Sequence, residues 1–351
     1  MFTHRKRKAF TVWELVVVIL VIVALMALLL PAIRQSNGHS RRNVCTNKMH
    51  QIGIALQNHH DSYKRFPGLS TEPFPQMPGG PKTGFSWITR ILPFMEETNL
   101  YKNISDASGQ FARIEDGGRA AFDPAIRDAA GLRHYATIEL DSLICPSFSG
   151  EPISDLTTGI YAGTLGIDPK ANPPIGIGIS TYVAIAATDI ARMRGDGSAA
   201  NGVLVPNQGL NMRAIKDGTS KTIIACETRE RALNAWIDGS VNWVVGANPN
   251  SLPPVRDEKG YLTMPKGSGT ALNVGPGKPS AATRYLTKSI SPNGYEWAWG
   301  PSSEHSGGVV MHVYADAAVR GQTDDIDPTV YLWLITPADN EPVVDPAVNA
   351  G

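Results

Sequence analysis

The sequence is poor in cysteine and lacks the short motifs that mark common enzyme sites. It has three cysteines in 351 residues, and no two of them form a C-x-x-C pair, so a zinc-ribbon or thioredoxin-like site has no support. It has no Walker loop, no G-x-G-x-x-G dinucleotide fingerprint and no G-x-S-x-G nucleophile elbow. We therefore expect no catalytic residue and no cofactor, and we predict that the protein is not an enzyme.

Charge of either sign is also scarce. Lys and Arg together number 32, Asp and Glu together number 32, and the four types make up 18% of the chain. Proteins that bind nucleic acid usually carry a clear basic excess, so we exclude nucleic acid as a partner. Apolar residues account for 42% of the chain, which is enough for a sizeable core.

One long apolar segment stands out against this background. From Leu15 to Ile33 the chain runs without a charged side chain, and the basic stretch Arg5–Lys8 precedes it. At about 1.5 Å per helical residue, a helix over residues 10–33 can cross a hydrocarbon core about 30 Å thick. Glu14 at the head of the segment is unusual, because a carboxylate within a membrane costs roughly 2.5 kcal/mol or more. We predict a membrane-spanning helix over about 10–33.

Three interpretations of this N-terminal segment are possible: a cleaved secretory signal, a plain membrane anchor and a prepilin leader. A cleaved secretory signal has an apolar core of about 7–15 residues and then a small-x-small site, whereas this run is longer and no A-x-A follows it. A plain membrane anchor explains the length but not Glu14. Ala9, Phe10 and Glu14 follow a short basic segment, and this spacing resembles a type IV prepilin leader, in which Glu lies four residues after Phe.

The resemblance to prepilins implies a maturation route and a set of partners. A prepilin peptidase would cut on the cytoplasmic side between Ala9 and Phe10 and methylate the new amino terminus. Glu14 would then pair with the amine of Phe10 on a neighbouring pilin-like subunit, because a buried carboxylate and ammonium are tolerated only as a pair. Ala9 departs from the Gly that prepilins usually have before the cut. The implied location is the inner membrane, spanned once, with the head in the periplasm or outside the cell.

The N-terminal helix is predicted to continue to about residue 65. Spacings of 4, 3, 4 and 7 residues place one set of side chains on a single helical face. We therefore divide the chain into a leader over 1–9, an N-terminal helix over 10–65 and an extracytoplasmic head over 66–351. The side chains of the predicted face are Cys45, Met49, Ile52, Leu56 and Tyr63.

The head contains short β-like runs separated by turn residues. Runs of this length and spacing are typical of an antiparallel sheet. With the long helix packed on that sheet, the predicted fold class is α+β and pilin-like. Segments rich in Gly and Pro, 166–180 and 246–280, are interpreted as long surface loops. The predicted strands lie within Ile138–Cys145, Thr181–Ala187, Lys221–Thr228, Val241–Val245 and Val309–Tyr314.

The three cysteines differ in their sequence surroundings. Cys226 lies in an apolar run and is predicted to be a buried core residue. Cys45 and Cys145 lie in polar surroundings, where they can form a disulfide. An odd number leaves one thiol over in an exported protein, and three free thiols remain the alternative.

Two groups of residues in the head resemble binding sites, and each has a simpler interpretation. His305, His312 and Asp316 include metal-ligand types, but strand residues seven apart point to opposite faces, and His-x-Gly-Gly also forms a turn. We therefore expect no metal. Trp297 and Trp299 would share one face of a strand and form a platform for sugars, but core packing is the expected role.

Ordered blocks of residues from Cys45 to Val319 resemble a family of pilin-like proteins from planctomycete bacteria. In that family a prepilin leader precedes a large domain of unknown function. Ala317 and Ser306 depart from the pattern, in which Gly and Pro are usual at those places. The matching blocks are residues 45–61 with Phe66 and Pro67, then 86–87, 92–96, 100–101, 145–147, 181–182, 217–222 with Glu227, and 303–309 with 315–316 and Val319.

The resemblance implies a structural rather than a catalytic function. We predict a prepilin-like subunit that is processed by prepilin peptidase and assembles through its N-terminal helix into a type IV pilus-like filament or a type II secretion pseudopilus. The alternative is a membrane-anchored extracytoplasmic module that binds a ligand such as a polysaccharide.

Overall fold

The computed structural model describes residues 12–73, 82–154, 176–193, 199–206, 208–229, 234–248, 251–273 and 300–339. The α-helices in these ranges are α1 (Val12–Tyr63), α2 (Trp87–Ile91), α3 (Thr98–Ser108) and α4 (Pro328–Trp333). The strands are β1 (Tyr182–Ala187), β2 (Ile223–Glu227), β3 (Trp243–Val245), β4 (Val255–Arg256), β5 (Leu262–Thr263), β6 (Val310–Tyr314) and β7 (Val319–Gln322).

The main sheet has the strand order β3-β1-β2-β6-β7, and β4 and β5 form a separate hairpin. The pairs β1–β2, β2–β6 and β6–β7 are antiparallel, but β3 runs parallel to β1, with Ala184 opposite Trp243. The prediction of an antiparallel sheet is therefore wrong, because the sheet is mixed. A parallel pair needs a long connection between its strands, and here β2 lies in that connection. Apolar runs indicate where strands occur but not in which direction they pair.

Two predicted segments also fold differently from their sequence interpretation. Residues 138–145 contain a 3-10 turn at Asp141–Leu143 and no strand. The Lys48 ammonium group of α1 donates to the carbonyl oxygens of Asp141 and Ile144 at 2.7 and 3.0 Å, so both oxygens have a helix side chain as a partner. The predicted loop over 246–280 contains the β4–β5 hairpin.

Different helices cover the two faces of β6. Val313 lies against α1, since a Cβ added to Gly53 would stand 3.1 Å from its Cγ1. The preceding residue, His312, has its Nε2 2.9 Å from the Tyr331 hydroxyl of α4. Successive strand residues point to opposite faces, so α1 and α4 lie on opposite sides. Every residue of β1, β2 and β6 is buried, as expected for strands covered on both faces.

The second half of α1 packs on the sheet through one apolar face. Gly53 lets the helix approach closely, because an added Cβ would lie 3.0 Å from the Cα of Ala317. Tyr63 is 50% exposed and does not belong to the buried face, contrary to prediction. The predicted members that are buried are Cys45, Met49, Ile52 and Leu56.

Within the described ranges, no helix combines the length and the apolar character needed to cross a membrane. A spanning helix needs about 20 consecutive, mostly apolar residues. This finding contradicts the predicted membrane-spanning helix over 10–33 and the single-pass location in the inner membrane that followed from it. The fold class is corrected from a membrane-anchored, pilin-like arrangement to an α+β fold with a mixed sheet.

Candidate functional site

Four side chains from distant parts of the chain meet inside the head, and we call them the buried cluster. Cys45 belongs to α1, Cys145 follows the Asp141–Leu143 turn, Glu227 ends β2, and His305 precedes β6. None of the four residues is more than 8% exposed. Because they come from four separate segments, only the tertiary fold brings them together.

Cys45 and Cys145 are joined by a disulfide, with Cα atoms 4.9 Å apart. Thr181 fixes the backbone at Cys145: its Oγ1 accepts a hydrogen bond from the Cys145 N–H at 2.8 Å and donates one to the Leu143 carbonyl at 3.0 Å. The third cysteine, Cys226, is free and buried. Burial, followed by the nearby Glu227 carboxylate, raises the pKa of the Cys226 thiol well above its ordinary value.

Glu227 and His305 form a buried polar pair beside the disulfide. The His305 Nε2 lies 3.1 Å from Glu227 Oε1 and 3.9 Å from Cys145 Sγ. The second carboxylate oxygen, Oε2, accepts a hydrogen bond from the Met311 N–H at 3.0 Å. A buried carboxylate is costly unless it is paired and hydrogen-bonded, and here both oxygens of Glu227 have partners.

The cluster contains ligand types that metal ions use. The sulfur atoms, a ring nitrogen of His305 and a carboxylate oxygen of Glu227 all lie within 4.8 Å of one another. Thiolate, imidazole and carboxylate are the protein ligands of zinc. In the disulfide form the two sulfur atoms are bonded to each other, so this form offers only the imidazole and the carboxylate.

The first part of α1 exposes an apolar surface. Every side chain from Val12 to Met26 is exposed, including Trp13 at 74% and Leu20 at 65%. Glu14 is the one charged residue of this stretch, and it is also exposed. A large contiguous apolar surface usually marks an interaction site. We call residues 12–26 the exposed apolar segment.

A cleft of about 380 Å³ beside the end of α1 carries three arginines, and we call it the arginine cleft. Arg65, Arg90 and Arg113 line it, and the Arg90 guanidinium lies 5.1 Å from the centre of the Phe111 ring. Arg113 pairs with Glu115 at 3.2 Å, whereas neither Arg65 nor Arg90 forms an ion pair with another described residue. Ligand pockets in proteins typically measure about 300–1,000 Å³.

His59 lies in the wall of the arginine cleft without adding charge to it. Burial lowers the pKa of His59 to about 4; a hydrogen bond to the Arg65 carbonyl opposes this shift, and the positive charge of Arg90 strengthens it. The imidazole Nδ1 lies 3.0 Å from that carbonyl oxygen and donates to it. At neutral pH the positive charge of the cleft therefore comes from its arginines.

The sequence profile of a family described as protein of unknown function (DUF1559) matches residues 35–329 of the chain. The chain is a DUF1559 protein. The match confirms the predicted domain of unknown function and includes the buried cluster and the arginine cleft; it begins after the exposed apolar segment and the leader motif. No curated protein and no solved structure matches the chain.

In the structure of this DUF1559 protein, the three residues that were considered as metal ligands, His305, His312 and Asp316, lie apart. His305 belongs to the buried cluster, whereas the His312 Nδ1 lies 2.9 Å from the Val310 carbonyl oxygen on β6. Asp316 is exposed in the following turn, where its Oδ1 accepts a hydrogen bond from the Ala318 N–H. The predicted cleavage-site and platform residues, Ala9, Phe10, Trp297 and Trp299, lie outside the described residues.

Glu227 is the site residue of this DUF1559 protein that sequence analysis missed. It is 78 positions from His305, and no motif spacing connects the two. The signal that was present is an acidic residue directly after the apolar run Ile223–Cys226. Acidic side chains are almost never fully buried without a partner, so an acid at the end of such a run indicates a buried partner elsewhere.

Proposed function

We propose that this DUF1559 protein is a prepilin-like structural subunit that prepilin peptidase cuts between Ala9 and Phe10. After cleavage it assembles through α1 with other pilin-like subunits into a type IV pilus-like filament or a type II secretion pseudopilus. The observation that carries the proposal is the exposed apolar segment of α1 with Glu14 at its head. The proposal assigns no catalytic residue.

The shape of the exposed apolar segment supports assembly between helices. It extends about 22 Å along the helix axis at 1.5 Å per residue, and its side chains are exposed all around the helix. Such a surface is stabilised when other apolar surfaces cover it. The same segment of neighbouring copies supplies a surface of matching length and character.

Glu14 gives such a bundle a preferred register. A carboxylate among packed apolar helices is tolerated when it meets an opposite charge. The new α-amino group of Phe10 on a neighbouring copy would supply that charge. Phe10 precedes Glu14 by four residues in the sequence, so an offset of one subunit against the next brings the two groups together, which favours a staggered filament over a closed dimer.

The packing of α1 supports transmission of that register to the head. Cys45, Met49 and Ile52 are fully buried against the head, and the Lys48 ammonium group is 2.8 Å from the Asp141 carboxylate. A helix held in this way carries its head as a fixed body, so a regular stack of helices would space the heads regularly.

Processing and assembly of the full chain test the proposal together. When the chain is expressed with a prepilin peptidase, intact-mass analysis is expected to find a protein that begins at N-methylated Phe10. Glu14→Gln, which removes the charge but keeps the shape, is expected to reduce the sedimenting filament fraction at least tenfold. Glu139→Gln, which removes an exposed carboxylate from the head, should leave that fraction unchanged.

Two results would overturn the proposal. One is a chain that keeps residues 1–9 in the presence of an active peptidase. The other is a Glu14→Gln protein that is cleaved and assembles as well as the unsubstituted chain.

A second candidate function, binding of an anionic ligand, is favoured by the arginine cleft. Arg65 and Arg90 line the cleft without an acidic partner among the described residues. Guanidinium groups bind carboxylates and sulfates through paired N–H donors. These features fit an acidic polysaccharide better than a neutral one.

Titration with polygalacturonate tests this second function. Arg90→Gln is expected to weaken binding about tenfold, because it removes one charge-assisted contact. Arg41→Gln is the matched control: this exposed arginine of α1 lies about 27 Å along the helix from His59. Equal affinity of the Arg90 and Arg41 variants, or no binding by the unsubstituted protein, would exclude the cleft as the site.

A further inference from the structure

We propose that the buried cluster is a metal site in its reduced form: after reduction of the Cys45–Cys145 disulfide, both thiolates, His305 and Glu227 bind one zinc ion. The inference does not depend on the proposed structural function. It makes the disulfide and the metal complex two alternative states of one site.

The distances already resemble those of a tetrahedral zinc site. Zinc binds sulfur at about 2.3 Å and nitrogen or oxygen at about 2.0–2.2 Å, which places neighbouring ligand atoms about 3.3–3.8 Å apart. His305 Nε2 lies 3.1 Å from Glu227 Oε1 and 3.9 Å from Cys145 Sγ. All the ligand atoms lie within 4.8 Å of one another, so zinc binding requires the two sulfur atoms to separate once their bond is broken and the most distant ligand atoms to approach by up to about 1 Å.

Backbone and hydroxyl groups hold three of the ligands in place. The Met311 N–H donates to Glu227 Oε2, the oxygen that faces away from His305. Ser303 Oγ accepts a hydrogen bond from the His305 N–H at 3.2 Å, and Thr181 Oγ1 accepts one from the Cys145 N–H. Such outer partners orient metal ligands and commonly change metal affinity 10- to 100-fold.

The cluster is more polar than a core site needs to be. A buried ion pair seldom stabilises a fold more than apolar residues of the same size would. Here a carboxylate and an imidazole, each with a side chain 2% exposed, lie directly against a disulfide. Metal binding supplies a reason for placing these four ligands together that packing alone does not supply.

A small pocket lies beside the cluster. It has a volume of about 10 Å³, close to that of one water, and its lining includes Cys145, Glu227 and the exposed Glu304. Arg229 lines the same pocket. Its positive charge helps to balance two thiolates and a carboxylate, which exceed the charge of one zinc ion by one unit.

The chemical change can be written with a phosphine as the reductant. The phosphine transfers two electrons to the disulfide and takes an oxygen from water, which gives one phosphine oxide and two cysteine thiols. Zinc binding then releases the two thiol protons to the solvent. Reoxidation by a disulfide oxidant, which is reduced to two thiols as it takes up two electrons and two protons, re-forms the Cys45–Cys145 bond and releases the ion.

Metal content before and after reduction tests the inference on the full chain. After phosphine treatment, addition of Zn²⁺ and desalting, we expect about one zinc per chain by mass spectrometry, and almost none without reduction. Co²⁺ in place of Zn²⁺ should give tetrahedral absorption bands with a sulfur charge-transfer band. His305→Gln and Glu227→Gln are each expected to weaken binding at least tenfold.

Matched controls separate this site from other thiols and histidines. Cys226→Ala removes the third cysteine, and His39→Gln removes an exposed histidine of α1; neither should change the zinc content. Reduced, folded protein that binds no zinc would overturn the inference, and so would binding that survives in both ligand variants. If reduction alone unfolds the chain, Zn²⁺ is expected to restore the native circular dichroism, and failure to do so would equally reject the site.

Discussion

Replacing both Cys45 and Cys145 by alanine is expected to lower the free energy of unfolding by about 4 kcal/mol. The disulfide joins residues 100 positions apart, and a cross-link over a loop of this length strongly restricts the unfolded chain. The variant keeps the apolar contacts of α1 with the head and loses the covalent link together with two buried sulfur atoms. Urea unfolding followed by tryptophan fluorescence measures the change.

Cys226→Ala is the control for this prediction. It removes an equally buried sulfur atom that belongs to no disulfide, so it reports the cost of the lost packing alone. A double variant that is destabilised no more than twice as much as Cys226→Ala would show that the cross-link itself contributes little.

The disulfide also connects the two features on which the proposals rest. It fixes α1 at Cys45, on the head side of the exposed apolar segment, and it contributes both sulfur atoms to the buried cluster. A reducing agent would therefore act on the attachment of α1 and open the cluster to zinc in one step. If zinc replaces the covalent bond as a link between Cys45 and Cys145, the helix stays attached in both states.

Sequence patterns predicted the features of the fold that depend on the spacing of apolar residues within a single segment. The spacing of Cys45, Met49, Ile52 and Leu56 placed them on the buried face of α1. Apolar runs contained four of the five strands of the main sheet, but β7 lies outside every predicted run. Tyr63 shares the same spacing, but it lies in the wall of the arginine cleft and is 50% exposed. Spacing identifies the face of a helix and does not show where its neighbour ends.

Features that depend on contacts between residues distant in sequence could not be predicted from local patterns. The parallel pairing of β1 with β3 is set by the path of the chain through β2, and no run of side chains encodes it. Glu227 and His305 meet because β2 and the segment before β6 are neighbours in space, whereas their sequence spacing resembles no metal motif. The membrane span was inferred from a count of apolar residues, which the described helices contradict.

Lowering the pH from 6.5 to about 4 is expected to reduce the free energy of unfolding by about 4 kcal/mol through two buried histidines. Burial lowers the pKa of His59 and of His134 to about 4. The unfolded chain takes up these protons near pH 6.5, and the folded chain only near pH 4. The unfolded state therefore binds more protons within this window, so stability rises with pH across it. Each shift contributes about 2 kcal/mol after allowance for solvent screening.

The hydrogen bonds of His134 explain why the folded protein requires its neutral form. The His134 Nδ1 accepts a hydrogen bond from the Ala136 N–H at 3.0 Å, and Nε2 donates to the Asp123 carbonyl at 3.0 Å. A proton on Nδ1 would remove the acceptor and place two hydrogens against each other. His134→Asn keeps an oxygen acceptor, as Asn211 does for the Ala214 N–H at 2.9 Å, and removes the titrating ring.

Urea unfolding at pH 4.5, 5.5 and 6.5 tests this explanation. His134→Asn is expected to reduce the loss of stability over this range by about half, because His59 still titrates. His39→Asn, at an exposed position of α1, should retain the full pH dependence. If the His134 and His39 variants lose stability equally as the pH falls, the neutral His134 is not a source of acid sensitivity, and His59 or the carboxylates of the head must account for it.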